Sequence, residues 1–348
     1  KYTLYQADSV LDESGRLSPW TQRCIEDADI ILLVSEADAD PCLGHVEKAL
    51  GELQSRSRLE LVLVHPADRQ VSTVASKWLS PRDSGDHRVE AHHHVRLGNQ
   101  ADFRRLGRRV IGKTIGLTFA GGGARGWAHV GVMRAMEQAN FEYDWVAGAS
   151  MGAIVAAGCA LDWSSERITQ LASMFSNPKK LLDYTLPISS ITSTRFITNL
   201  FQELFAGADI EDTWRPFFCV SANLSEGAER LHTRGPLWKA VRASMAFPGI
   251  FAPVLEEGSV LIDGGAANNL PIDHMRRMCP HGTVIGVDLV EASPVRGEYS
   301  FGPSLSGWEV LRGRILPVTT KVRAPSLLDI ISGVVYSNNC YRLNEQWR

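Results

Sequence analysis

The sequence predicts an α/β protein, on three observations. Short runs rich in Ile, Leu and Val alternate with helix-like stretches from residue 1 to about 100. A second alternation of the same kind runs from about 113 to the end. Glycine clusters stand where predicted strands finish, at 121–126, 148–152 and 264–265.

At 348 residues and 44% hydrophobic content the chain has material for one large domain or two ordinary ones. Its 36 basic and 39 acidic residues give a net charge of -3, so no global field argues for nucleic acid. Cysteines 24, 42, 159, 219, 279 and 340 include no CxxC pair and read as scattered core thiols in a reducing compartment. No apolar run approaches the roughly 20 residues that span a bilayer, and no signal peptide opens the chain. It begins at Lys1 and ends at Arg348 inside a helix-like stretch, so we read it as a piece of a longer protein, with a membrane anchor to be sought outside it.

In order, "DIILLVS" (29–35) reads as a buried strand, "CLGHVEKALGELQ" as a helix, "LELVLVH" (59–65) as a second strand and "VEAHHHVRL" as a third. Consecutive strand residues face opposite sides, so His92, His93 and His94 do not converge on one metal and read as a solvated strand edge. No metal or cofactor is called for. In "ADFRRLGRRVIGK" (101–113), Phe103, Leu106 and Val110 share one helical face and Arg104, Arg105, Arg108 and Arg109 crowd the other. That basic face is either solvated or drawn to anionic lipid. The organisation read is an α/β segment over 1–100, a basic helical linker over 101–112 and a larger domain over 113–348.

Three glycine patterns compete for an anion. Gly107, followed by Gly112-Lys113-Thr114, matches a P-loop, but a helix precedes it and a strand follows, the reverse of the required order. We treat it as coincidence. Gly121-Gly122-Gly123-Ala124-Arg125-Gly126 fits G-x-G-x-x-G after a strand and before a helix, yet the acidic partner in range, Asp144, begins the next strand instead of ending it. What ends that strand is Gly148-Ala149-Ser150-Met151-Gly152, a G-x-S-x-G at a strand-to-helix turn, the setting that exposes a nucleophilic hydroxyl. If Ser150 attacks an ester, backbone N–H groups of the 121–125 loop suit the developing oxyanion.

A serine needs a proton acceptor. Downstream, "GSVLIDGGAANNLPID" delivers Asp263 to a sheet edge ahead of two glycines. The glycine-rich loop, the G-x-S-x-G and the D-G-G, in that order, resemble the patatin-like phospholipases, as does "RASMAFPGIFAPV" (242–254). The first region, "LYQADSVL...LSPWTQRCIEDADIILLVS", is similar to the segment that precedes the catalytic domain in that family's neuropathy target esterase branch.

This resemblance implies a three-layer α/β/α catalytic domain behind a smaller Rossmann-like segment. It also implies a Ser150–Asp263 dyad, an oxyanion hole from the amides of Gly121, Gly122, Gly123, Ala124 and Arg125, and Gly148 and Gly152 flanking the nucleophile. Implied substrates are lysophospholipids, with diacyl phospholipids left open, at a membrane surface on the cytoplasmic side. Membrane attachment and cyclic-nucleotide control would come only through regions outside this chain. Two alternatives stay open: a Ser-Asp-His triad through His274 or His281, and a non-catalytic lipid- or nucleotide-binding module on the same fold. His129 reads as a packing or substrate-edge residue. Arg125 meets a head-group phosphate or braces its loop. "FAPVL" (251–255), "ILPV" (315–318) and "SLLDIISGVVY" (326–336) are candidate walls of an acyl trough. An aspartate strong enough to act as base requires a partly desolvated site.

Overall fold

The computed structural model describes residues 2–8, 16–52, 57–83, 87–175, 183–205, 207–289 and a few positions between 300 and 333. Of the segments expected to line a trough, 315–318 and most of 326–336 therefore lie outside the described residues.

The first unit is a three-stranded parallel sheet, β1 (Ile30–Glu36), β2 (Arg58–His65) and β3 (Ala91–Arg96), with β2 in the middle. Helices α1 (Pro19–Asp27), α2 (His45–Glu52) and α3 (Ala75–Leu79) belong to it. Pro at the first position of α1 and the Ser18 hydroxyl, which accepts from the Thr21 amide, start that helix. Its core gathers Leu59, Leu61 and Leu63 from one face of β2 with Ile25, Leu50, Trp78 and Leu79. The expected buried strand at 29–35 is instead half-buried, because β1 is an edge strand; Val34 is 65% exposed.

The linker helix, α4 (Gln100–Val110), inverts the expected amphipathicity. Asp102 and Arg105 are buried, whereas Phe103 is 50% exposed. Its arginines are each ion-paired, and of the four Arg104 alone stays exposed: Arg104 pairs with Glu142, Arg105 with Asp102 (3.0 Å), Arg108 with Asp144 (2.7 Å) and Arg109 with Glu60 (3.0 Å). Ion pairing is what lets charged side chains of the helix be buried, and helical periodicity does not register it.

The second unit is a seven-stranded sheet. Its strands are β4 (Ile115–Phe119), β5 (Trp145–Ala149), β6 (Phe217–Asn223), β7 (Ala228–His232), β8 (Val254–Glu256), β9 (Ser259–Asp263) and β10 (Thr283–Val287). They lie in the order β10-β4-β5-β6-β9-β8, with β7 also on β6. The first four of that order are parallel; β7, β8 and β9 are antiparallel to their neighbours.

Most helices cover one face: α5 (His129–Gln138), α6 (Met151–Ala160), α7 (Ser165–Phe175), α8 (Arg195–Leu204) and α9 (Leu237–Ser244). They enclose a single core of Leu117, Val146, Ile154, Ile168, Phe201, Cys219 and Val241 among others. The opposite face carries α10 (Ile272–Met278), with Met275 packed against Ala147 and Phe218. This is the three-layer α/β/α architecture. Four of the cysteines, at 24, 159, 219 and 279, are buried as expected, whereas Cys42 is exposed.

The two units share an interface. Its centre is the 209–214 turn of the second unit, which lies against the open edge of β3. His92 and His94 both donate from Nε2 to the Glu211 carbonyl at 2.8 Å, and His65 lies 2.8 Å from His94 Nδ1. His93, on the other face, meets Glu60 at 2.9 Å. The histidine strand edge is therefore covered, not solvated. Asp212 accepts the Ala75 amide at 3.0 Å, at the start of α3. Arg96 stacks over Trp214 at 4.4 Å and bridges Asp102 (2.7 Å) and Asp162 (2.8 Å).

Candidate active site

Ser150 and Asp263 are brought together by the way strands share β6. Residues 219–223 of β6 pair with β7 along one edge. Residues 217–220 pair with β5 and 221–223 with β9, so both of these occupy the other edge, end to end. Ala149 stands opposite Val220 and Asp263 opposite Ser221, neighbouring residues of one strand. Because β5 runs parallel and β9 antiparallel to β6, their final residues meet. The chain turns away from each at that point, into Ser150 and Gly264.

The Ser150 hydroxyl donates to Asp263 Oδ2 at 2.6 Å. Asp263 Oδ1 accepts the Gly265 amide at 2.7 Å, which fixes the carboxylate plane. Ser150 sits at φ 53°, ψ -124°, a conformation that costs a residue with a Cβ about 1–3 kcal/mol. Packing on both sides holds it there. A Cβ at Gly148 would come within 2.7 Å of the Ala153 amide, and one at Gly152 within 2.6 Å of the Ala120 carbonyl, so both glycines let α6 lie directly on β4 and β5. Ser244, from the end of α9, accepts the Ser150 amide at 2.9 Å.

Both residues are nearly enclosed, Ser150 at 7% and Asp263 at 1% exposure. Burial disfavours the carboxylate and raises the Asp263 pKa to about 6, against the opposing hydrogen bonds from Ser150 and Gly265. This is the desolvation that a base at this position requires.

The glycine-rich loop runs from the end of β4 into a 3-10 turn, Gly123–Ala128. Its donors are not equivalent. The Gly121 amide is committed to the Asn269 carbonyl at 3.2 Å and the Arg125 amide to the Gly122 carbonyl at 3.2 Å. Among the described residues nothing accepts from the amides of Gly122, Gly123 or Ala124, so these three can face a ligand. Gly123 has φ 56°, which turns successive amides toward the same side.

Two side chains pin the loop. Asn269 donates from Nδ2 to the Gly121 carbonyl at 3.1 Å, completing a two-point clamp on that residue. A Cβ at Gly121 would lie 2.5 Å from Asn269 Oδ1 and 2.9 Å from Ser150 Cβ. His129 is buried and donates from Nε2 to the Ala120 carbonyl at 2.8 Å, and burial lowers its pKa. It holds the loop and does not line a substrate edge. The Arg125 side chain is exposed beside the loop.

Neither histidine of the alternative triad reaches the dyad. His274 lies on the α10 face and pairs with Glu229 at 2.8 Å. His281 precedes β10, close to Gly112, at the opposite end of the parallel strands from Ser150. Ser244, Asn269 and the clamping role of His129 are absent from the sequence reading. Asn269 stands six residues after Asp263, the only local hint of its place.

Fold and site together define the class: the chain belongs to the patatin-like phospholipase family, which residues 117–276 match. Within it the chain falls in the neuropathy target esterase branch, because residues 1–116 match the neuropathy target esterase family P-loop like domain. It is 35% identical to "Neuropathy target esterase sws" of Drosophila melanogaster over 99% of the chain and 26% of that protein. It is 35% identical to "Patatin-like phospholipase domain-containing protein 6" of Homo sapiens over 97% of the chain, and 34% identical to "Patatin-like phospholipase domain-containing protein 7" of Mus musculus over the same share. The chain thus spans about a quarter of the length of these relatives, 26% of each.

The P-loop-like unit carries no phosphate loop where strands pass into helices. Neither residues 37–44 after β1 nor 66–74 after β2 contain G-x-x-x-x-G-K, and the former place Asp38 and Asp40 there. The 107–114 match begins inside α4 and ends just before β4.

Proposed function

We propose that this chain is a serine esterase that hydrolyses the carboxylic ester of lysophospholipids, with Ser150 as nucleophile and Asp263 as its base. The observation that carries the reading is the 2.6 Å bond from the Ser150 hydroxyl to a buried carboxylate. Asp263 takes the serine proton as oxygen attacks the acyl carbon. Negative charge on the carbonyl oxygen is met by the amides of Gly122, Gly123 and Ala124; one such donor is typically worth about 10²- to 10³-fold in rate. The protonated Asp263 then returns its proton to the departing glycerol oxygen, leaving an acyl-serine. Water then gives a proton to the same carboxylate as its oxygen adds to the acyl carbon, and Asp263 returns that proton to the departing Ser150 oxygen as the acyl–serine bond breaks and fatty acid leaves. A phosphodiester head-group leaving on the glycerol side would find Arg125 at the loop.

The chemistry is tested with a fluorophosphonate probe and with lysophosphatidylcholine. Wild type is expected to be labelled and to release fatty acid and glycerophosphocholine, identified by mass spectrometry. Ser150→Ala abolishes labelling, and Asp263→Asn lowers turnover by at least about 10²-fold, the smallest usual contribution of a general base. A folded wild type that takes up no probe would instead favour a binding module on the hydrolase fold.

A further inference from the structure

The segment that leads into α8 is a run of apolar and uncharged side chains. From Tyr184 to Ser193, "YTLPISSITS", it contains no charged side chain. Tyr184, Leu186 and Ile188 are 70%, 73% and 86% exposed, and Ile191 is exposed beside them. At its root Asp183 faces inward and accepts from the Ser193 hydroxyl and from the amides of Thr194 (2.9 Å) and Arg195 (2.8 Å).

The backbone of the loop closes on itself. Tyr184 and Thr192 form an antiparallel bridge. The Thr185 amide donates to the Ile191 carbonyl at 3.0 Å, Ile188 to Leu186 at 2.8 Å and Ser193 to Asp183 at 2.8 Å. The Ser190 hydroxyl donates to the Thr192 carbonyl at 2.7 Å. Pairing of this kind is what a loop needs to leave water for an apolar medium, where an unmatched peptide group is costly. A contact with another protein is typically ringed by polar and charged side chains, and between residues 184 and 193 this tip supplies no charge.

The root is fastened to the segment that leads to the candidate base. Ile191 donates to the Gly249 carbonyl (2.9 Å) and Thr192 to Ile250 (3.2 Å), while the Ala252 amide donates to the Thr194 hydroxyl at 2.9 Å. Arg242, buried in α9, holds the Ala252 carbonyl at 2.7 Å. Through the Asp263 amide, which donates to the Ala246 carbonyl at 3.0 Å, the same segment is tied to the dyad strand.

We propose that residues 184–191 form a lipid-surface anchor: Tyr184, Leu186, Ile188 and Ile191 enter the interfacial layer of a lipid aggregate and hold the Ser150 site against it. The exposed Arg195, in the first turn of α8, would meet lipid phosphates. This inference rests on the lipid-esterase reading for its biological sense, but its test does not depend on turnover.

Binding to phosphatidylcholine–phosphatidylserine vesicles is measured by co-sedimentation for wild type and for Leu186→Asp/Ile188→Asp. The double variant should bind at least about tenfold more weakly, since two buried aliphatic side chains are replaced by charges. Its rate on a water-soluble butyrate ester should stay within about twofold of wild type, which also reports that it is folded. A gain-of-signal variant, Ile188→Trp, should shift its emission to the blue and be quenched by brominated-tail lipids. Equal vesicle binding by wild type and double variant, or emission from the introduced indole that is indifferent to brominated lipid, overturns the anchor. A wild type that ignores vesicles but forms a dimer dissolved by the double variant overturns it too, and makes the loop a protein interface. Loss of vesicle binding in the double variant when no form of the protein hydrolyses esters upholds the anchor and removes the esterase reading alone.

Discussion

A carboxylate that accepts a proton from serine must be a stronger base than aspartate in water, and burial moves Asp263 in that direction. Its pKa of about 6 predicts that kcat/KM on a soluble ester rises with pH through about 6 and is flat above. A profile still rising between pH 7 and 9 would require a different base. The same shift has a cost in stability. Between the unperturbed 3.8 and about 6 the folded protein binds more protons at this site than the unfolded chain, so this group's contribution to stability falls as pH rises across that window. Asp263→Asn, which cannot ionise, should therefore melt at a higher temperature than wild type at pH 8 while losing activity. Ser150 and Asp263 could be found in the sequence because turn chemistry marks them: small residues flank one and a glycine pair follows the other. Which loop amides are free could not. Gly121 and Arg125 sit in the same motif as Gly122 and Gly123, and only the distant Asn269 and the local 3-10 turn remove their donors.

At the scale of elements, the site depends on how closely α6 lies on the sheet. Gly152→Ala would press a methyl group onto the Phe119 and Ala120 carbonyls, which are backbone and cannot rotate away. The helix must then lift, carrying Ser150 with it. We expect destabilisation of about 1–3 kcal/mol by thermal melting and a larger proportional loss of probe labelling. Gly131 in α5 is the control: it is exposed and a Cβ there meets nothing within 4 Å. Gly131→Ala should stabilise by about 0.5–1 kcal/mol and leave labelling unchanged. If both variants behaved alike, close packing would not be what positions the serine. Strands with apolar runs and helices with small-residue faces were legible in the sequence because they answer to local periodicity. The end-to-end arrangement of β5 and β9 on one edge of β6 was not, since a change of pairing partner within a strand leaves no mark on its residues. The α4 helix shows the same limit, for Arg104, Arg108 and Arg109 find their partners in Glu142, Asp144 and Glu60, each more than thirty residues away.

Across the whole molecule, the contact between the P-loop-like unit and the patatin-like unit runs through groups that titrate. Burial lowers the pKa of His92 and of His65 to about 4 and holds that of His94 well below its ordinary value. After burial come the charges: at His65, Arg69 and Arg96 oppose protonation while Asp38 and Asp102 favour it, and at His92 and His94 the neighbouring histidines with Arg234 and Arg105 oppose it. With folded values depressed below 6.5, the unfolded chain binds more protons as pH falls, so stability at this contact is present above about 6.5 and is lost toward about 4. Asp263 responds in the opposite sense over much of that range, so a global melting curve would blend the two. Local hydrogen exchange separates them. On lowering the pH from 7 to 4.5, after correction for the intrinsic exchange rate, amides of β3 and of the 209–214 turn should lose protection together, while those of β5 and α6 hold theirs. Replacing His92 and His94 by Gln, which keeps a donor within reach of the Glu211 carbonyl and carries no titratable proton, should flatten that response. Protection that falls equally in the Gln variant would move the acid sensitivity elsewhere, to the carboxylates of Asp102 and Asp162 that Arg96 holds together.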